Sequence, residues 1–143
     1  MKFKEYQKTN EAFDKPYKWK ISDKKPRYTE YKFTTDKDIT YYVAFQQFLG
    51  TDPKKTNVTL DTEDEEMGVT GTGDAFRVFA TTMEIFKDHK KELQELGLVT
   101  FYAREPSRQK LYLRMAKNLK SELGFKKLIT NKKPDGLEFI FSN

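Results

Sequence analysis

Two glycines separated by one residue, Gly71 and Gly73, stand directly before a helical pattern of apolar residues. Glycine lets the backbone turn tightly and approach a ligand closely, and the free amides at the start of a helix attract anions. The segment Gly71, Thr72, Gly73, Asp74 and Ala75 is therefore a candidate cradle for a phosphate group. A plain strand-to-helix turn explains the same two glycines and is the alternative.

Arg108 and Tyr112 form a second group of candidate functional residues. Arg108 lies at the start of a predicted helix, where it would hold a phosphate or would simply be a solvated charge. Tyr112 carries a phenol whose ordinary pKa is about 10, and it is a candidate general acid. It also falls beside Leu111 and Met115 on the apolar side of that helix, so a place in the core is the alternative.

The remaining titratable candidates favour structural roles. Glu65 and Glu66 are candidates for a base that deprotonates an acceptor amine, but they stand in an acidic run that is typical of a solvated loop. His89 borders an apolar helical face near a predicted helix end, where the helix dipole favours the imidazolium. We therefore expect His89 to be structural.

Composition predicts one folded domain without metal chemistry. The chain has 143 residues, of which 15% are aromatic, and it contains no cysteine and one histidine, so neither disulfides nor a zinc or copper site is expected. No segment has the pattern of a signal peptide or of a membrane span. We expect a single cytoplasmic domain over residues 1–143, with an irregular N-terminal extension over 1–27.

Charge is divided unevenly along the chain. The net charge is +5 and the pI is about 9.2, which favours anionic partners. Residues 104–133 hold ten basic side chains and two acidic ones, whereas residues 61–74 hold six acidic side chains and no basic one. An ordinary solvated helix face also explains Lys110, Arg114 and Lys117 within the basic third.

Hydrophobic periodicity predicts the elements that position these residues. Alternation predicts an antiparallel hairpin over 29–34 and 41–45, and three-and-four spacing from Ala75 predicts a helix that ends near Gly97. After this helix the pattern predicts a strand buried on both faces and then a second helix that ends at Gly124. The other predicted strands are 57–60, 67–70, 98–103, 125–129 and 137–141. The order β-β-β-(β)-α-β-α-β-β predicts an α+β or α/β mixed sheet with two main helices and a parallel β-α-β unit.

This order, with a G-x-G turn before the first helix, resembles the core of the GNAT acetyltransferase superfamily. In that family a Q/R-x-x-G-x-G/A loop binds the pyrophosphate of acetyl-CoA, and Gly73 and Ala75 match it. Thr70 stands where Arg or Gln is usual, and Asp74 places a carboxylate close to the expected phosphates. The resemblance implies that acetyl-CoA or CoA is bound by the segment from Gly71 to Ala75, with Arg108 nearby.

The second predicted helix extends the resemblance. Leu111 and Tyr112, followed by Gly124 and Phe125, repeat the order of a Leu-Tyr pair and a Gly-Phe pair in the family, with about two more helical turns between them. The resemblance implies that Tyr112 protonates the departing CoA thiolate. Residues 1–30 do not show the two helices that build the family's acceptor site, which leaves an N-acetyltransferase and a CoA-binding relative with a degenerate site as alternatives.

Two functions of other classes also fit the sequence. Residues 71–81 and 105–112 resemble segments of small proteins of tailed bacteriophages, which implies a viral source. The missing acceptor helices, and Thr70 and Asp74 in the cradle, favour a non-enzymatic protein that binds a host or virion protein, in the host cytoplasm or on the virion. The basic C-terminal third favours nucleic-acid binding, and because no known reading motif is present, that binding would be independent of base sequence. Neither hypothesis involves a membrane.

Overall fold

Seven strands and three helices make up the described part of the chain. The structure is a computed structural model and describes residues 15–52, 54–62, 75–103, 109–134 and 136–143. In chain order the elements are β1 (Trp19–Lys25), β2 (Tyr28–Thr34), β3 (Thr40–Phe48), β4 (Lys55–Thr62), α1 (Ala75–Asp88), α2 (Lys90–Leu96), β5 (Leu98–Ala103), α3 (Gln109–Leu123), β6 (Lys127–Lys133) and β7 (Gly136–Ser142).

The strands form one mixed sheet in the order β1-β2-β3-β4-β5-β7-β6. β4 and β5 are parallel, and each of the other neighbouring pairs is antiparallel. A parallel pair needs a crossover connection, and here α1 and α2 lie between β4 and β5 in the chain. The predicted α+β class and the mixed sheet are confirmed.

The helices pack on one face of this sheet. Phe101 of β5 is fully buried, and its ring contacts Phe86 of α1 and Tyr112 of α3, with ring centroids 5.8 and 6.2 Å apart. Thr100 and Tyr102 point to the opposite face and are half-buried. The expectation that this strand is buried on both faces is therefore wrong, because in the described residues the helices cover one face only.

The predicted hairpins are present with shifted ends. Residues 29–34 and 41–45 lie in β2 and β3, and 57–60 lies within the longer β4. The C-terminal hairpin begins at Lys127 rather than at Phe125, whose ring is buried ahead of the strand. The strand predicted at 67–70 falls outside the described residues.

β1 corrects the prediction of an irregular N-terminal extension over 1–27 at residues 19–25, whereas residues 1–14 of that extension lie outside the described residues. Trp19 pairs with Phe33 and Lys25 with Tyr28, and the register shifts between Ile21 and Asp23. β1 is an edge strand, and most of its side chains are exposed. Exposed, lysine-rich edge strands lack the apolar alternation by which strands are recognised.

The long helix predicted from Ala75 is two helices that meet at His89. His89 has φ −95° and ψ 6°, outside the helical region, although its amide still donates to the Ile85 carbonyl over 3.1 Å. Its side chain is buried, and its carbonyl accepts from the Leu93 amide over 3.2 Å. Gly97 ends α2 with φ +78°, as predicted.

Candidate functional site

The parallel pair of β4 and β5 brings α1 and α3 to one edge of the sheet. Pairing runs from Thr56 with Val99 to Thr59 with Tyr102, and β4 continues beyond the last pair to Thr62. α1 follows β4 in the chain and α3 follows β5. Because β4 and β5 run in the same direction, the helices that follow them both begin near the carboxyl ends of these two strands.

Contacts between α1 and α3 confirm that the two helices run in the same direction. The rings of Phe79 and Tyr112 lie 5.0 Å apart near the first turns, and Lys87 Nζ lies 3.7 Å from Glu122 Oε2 near the last turns. The first turns of both helices thus lie close together.

The structure describes two of the seven predicted site residues. Gly71, Thr72, Gly73, Asp74 and Arg108 lie outside the described residues. Ala75 is the first residue of α1, as the helical pattern predicted. Tyr112 lies within α3.

Tyr112 lies in the hydrophobic core between the two helices and the sheet. Its side chain is 4% exposed, and its ring makes edge contacts with Phe79 and Phe101. This is the environment of a core tyrosine, the alternative that the sequence left open.

A groove of about 360 Å³ separates α1 and α3 on their outer side. Its lining residues are Phe76, Phe79, Ala80, Met83, Glu84, Lys87, Arg114, Met115 and Asn118. Phe76 lies in the first turn of α1 and is 41% exposed. Exposed charges of both signs stand at the rim, with Lys87 and Arg114 against Glu84. The groove combines an apolar floor with a net positive rim.

Arg77, near the start of α1, is occupied by contacts within the protein. Its guanidinium lies 3.7 Å from the centre of the Tyr17 ring, and it donates to the Lys15 carbonyl over 3.0 Å and to Asp36 Oδ2 over 2.8 Å. The Tyr17 amide in turn donates to Thr81 Oγ1 over 2.7 Å. These contacts hold the segment before β1 against α1, so Arg77 serves that packing rather than a ligand.

Sequence reasoning missed a polar group formed by Tyr31, Asp88 and His89. The Tyr31 hydroxyl donates to Asp88 Oδ2 over 2.8 Å and lies 3.4 Å from His89 Nδ1. The His89 ring stacks on Phe45, with the ring centres 4.2 Å apart. Tyr31 and Asp88 are 57 residues apart, and nothing in the sequence indicates that they meet.

Burial governs ionisation in this group. It raises the pKa of the Tyr31 phenol, and the hydrogen bond to Asp88 and the charge of that carboxylate raise it further. Burial also lowers the pKa of His89, against the opposing influence of Glu92 and Asp88. The neutral imidazole is favoured, so the expected stabilisation of an imidazolium by the helix dipole does not prevail. The group fixes β2 to the junction of α1 and α2.

Neither a metal centre nor a spanning helix is found in the part of the chain that the structure describes. Within the described ranges no three His, Cys, Asp or Glu side chains are grouped so that they could hold a metal ion. No helix among the described residues is long and apolar enough to cross a bilayer.

The sequence matches no protein-family model and no curated protein sequence.

Proposed function

We propose that the protein binds CoA or acetyl-CoA, with the pyrophosphate at the start of α1, the adenosine part in the groove between α1 and α3, and the pantetheine arm between the ends of β4 and β5. The observation that carries this proposal is the position of the groove. Phe76, which lines it, is the second residue of α1 and follows the predicted cradle of Gly71 to Ala75 almost directly. An anion held by the amides before α1 would lie at the groove's end.

The chemistry of the groove suits such a cofactor. Its volume of about 360 Å³ is comparable with that of sites for small organic ligands, about 300–1,000 Å³. Met83, which is half-buried, offers adaptable apolar contact, and the exposed Arg114 offers a cation to phosphate oxygens. CoA combines an aromatic base, phosphates and an extended apolar arm in one molecule.

The chain order also supports the resemblance to the GNAT superfamily. The cradle residues stand between the two parallel strands, immediately before α1, and α3 and a terminal hairpin follow. Pairing of β4 with β5 ends at Thr59 and Tyr102, before β4 itself ends at Thr62. The pantetheine arm would lie between these strand ends.

Thermal unfolding with and without cofactor tests the proposal. A ligand that binds only the folded state at about 100 times its Kd raises the free energy of unfolding by about 2.7 kcal/mol. For a Kd on the order of 10 µM, about 1 mM acetyl-CoA is about 100 times the Kd. We therefore expect acetyl-CoA at that concentration to raise Tm by several degrees. Gly73→Asp should abolish the rise, because it adds bulk and negative charge at the cradle. Gly50→Asp is the matched control: a Cβ there meets nothing within 4 Å, and the rise should persist.

An absence of any Tm change with millimolar CoA or acetyl-CoA would overturn the proposal. If the chain does not bind CoA but captures a stoichiometric protein partner, that result would favour the hypothesis of a non-enzymatic protein that binds a host or virion protein. Tyr112→Phe separates binding from catalysis, because it removes the hydroxyl and keeps the buried ring. If Tyr112 is the acid, acetyl transfer should be lost while the Tm rise with CoA is kept.

A further inference from the structure

The whole net positive charge of the chain lies in its last 35 residues. Residues 109–143 carry eight Lys and Arg side chains and three Asp and Glu side chains, a net +5 that equals the net charge of the chain. Residues 1–108 hold 19 charges of each sign. The structure places this excess on α3 and on β6, the two elements at one end of the sheet.

Six lysines form what we call the lysine face: Lys110, Lys117 and Lys120 on α3, and Lys126, Lys127 and Lys132 on or just before β6. Five of the six are exposed and Lys120 is half-buried. None of them forms an ion pair with another described residue. The two described carboxylates of residues 109–143 are engaged elsewhere, since Glu122 faces Lys87 at 3.7 Å and Glu138 faces Lys133 at 3.9 Å.

The arrangement of the lysine face follows from the packing of α3. The helix buries Tyr112, Met115, Ala116, Leu119 and Leu123 against the sheet, which leaves Lys110 and Lys117, seven residues apart, on its outer side. Lys127 and Lys132 point to opposite faces of β6, but β6 is the last strand of the sheet, so both side chains border its free edge. From Lys127 to Lys132 the strand spans about 17 Å.

We propose that the lysine face binds the phosphate backbone of duplex DNA without reading its sequence. A duplex carries one negative charge per about 1.7 Å of axis with both strands counted, so the roughly 17 Å of axis beside β6 holds about ten phosphates, more than the six lysines can contact. The proposal does not depend on CoA binding, because Arg114, which lines the groove, lies outside the lysine face.

The absence of exposed rings on this surface favours a duplex over a single strand. Proteins that bind single strands stack the bases on aromatic side chains. Among the described residues of 109–143 the aromatic side chains are Tyr112, Phe125, Phe139 and Phe141, and each is at most 5% exposed. Lysines without stacking partners recognise the backbone, and a duplex presents the higher density of charge.

Binding of a fluorescent 20-base-pair duplex (about two helical turns) by the full chain tests the proposal. With about six phosphate contacts the affinity should fall roughly 10³-fold between 50 and 200 mM salt. Replacement of Lys126, Lys127 and Lys132 by Gln should weaken binding and reduce the slope of log K against log salt by about 3. Replacement of Lys110, Lys117 and Lys120 by Gln should have the same effect, which keeps the test valid if one variant does not fold.

The matched control lies at the opposite edge of the sheet. Lys18, Lys20 and Lys25 are exposed residues on or just before β1, and their replacement by Gln removes the same charge. This variant should bind DNA with a nearly unchanged salt slope. Equal loss in both variants would show that net charge alone governs binding and would overturn the proposal.

Three other outcomes would also overturn it. The first is that the duplex does not bind at low salt, about 50 mM. The second is that a single strand of the same length binds more tightly than the duplex. The third is that vesicles containing phosphatidylserine bind and the duplex does not. The vesicle arm distinguishes a membrane surface from DNA as the source of phosphate.

Discussion

Tyr31 has a structural role, a hydrogen bond to Asp88, that its neighbours in the sequence do not indicate. In the sequence it is one of several aromatic residues on the buried side of β2, and it is 2% exposed. A buried hydroxyl without a partner is costly, and here Asp88 and His89 satisfy it. The hydrogen bond therefore specifies where α1 ends against β2.

Tyr31→Phe should lower the free energy of unfolding by about 1–2 kcal/mol, because a buried bond to a charged acceptor is removed while Asp88 stays accessible to water. Urea denaturation measures the change. Tyr28→Phe is the control: the Tyr28 hydroxyl donates to Glu30 Oε2 over 2.9 Å on the uncovered side of the sheet, where water can replace the bond. A loss in Tyr28→Phe equal to that in Tyr31→Phe would contradict this account.

The stability of the protein should depend on pH through His89. Burial lowers its pKa in the folded state, so above an unfolded-state pKa of about 6.5 its contribution is fully present. As the pH falls below that value, the unfolded chain takes up a proton that the folded state resists, and stability declines. We expect Tm to be lower at pH 5.5 than at pH 7.5 (about one unit on either side of the unfolded pKa).

His89→Gln isolates this effect, because His89 is the one histidine of the chain. The variant removes the titrating ring and leaves every other ionisable group in place. Its Tm should therefore change less between these two pH values than that of the unmodified protein. If Tm changes equally with pH in the two proteins, His89 does not govern the pH dependence of stability.

At the scale of elements, two glycines set the ends of the helices. Gly97 ends α2 and Gly124 follows α3, and both have φ +78°, a left-handed conformation that side chains with a Cβ adopt at a cost. The turn after α3 is closed by the Phe125 amide, which donates to the Lys120 carbonyl over 3.0 Å. Each turn leads from a helix into the next strand: β5 follows Gly97, and β6 follows Gly124.

Gly97→Ala should lower the free energy of unfolding by about 1–2 kcal/mol, because an L-residue is strained in the left-handed region. The Cβ itself would meet nothing within 4 Å, so the cost reports the backbone conformation alone. Gly50→Ala serves as the control, since its Cβ is equally unobstructed and its φ is not in that region. An equal loss of stability in both variants, measured by urea denaturation, would rule out the conformational explanation.

At the scale of the whole molecule, Phe101 joins both main helices to the sheet. Its ring contacts Phe86 of α1, Tyr112 of α3 and Phe139 of β7, and it is fully buried. One core therefore holds the parallel pair, the helices and the C-terminal hairpin together.

Phe101→Ala should destabilise the protein by about 3–5 kcal/mol, because it leaves a cavity where β5, α1, α3 and β7 meet. Ile129→Ala is the comparison, since Ile129 of β6 is 51% exposed and should change stability by less than about 1 kcal/mol. Differential scanning calorimetry measures both. If the core is continuous, each variant should still unfold in one transition, and two separate transitions would contradict that.

The local pattern of the sequence determined much of the fold. Alternation along β2 and β3, three-and-four spacing along α1 and α3, and glycines at helix ends are signals that neighbouring residues carry, and the structure follows them. β1 was missed because an exposed edge strand carries no apolar alternation. The break at His89 was missed because the apolar spacing continues through it, and the stacking of its ring on Phe45 joins two elements distant in the chain.

The sequence by itself determined which residues are candidates, whereas the tertiary structure decided which of them meet. The basic residues of the C-terminal third and the glycines before α1 were evident from composition and spacing, which are properties of the chain alone. The groove beside Phe76, the burial of Tyr112 and the bond from Tyr31 to Asp88 exist only after distant segments pack. The physical reason is range: helix and strand periodicity act over a few residues, while packing joins positions that the chain separates by dozens.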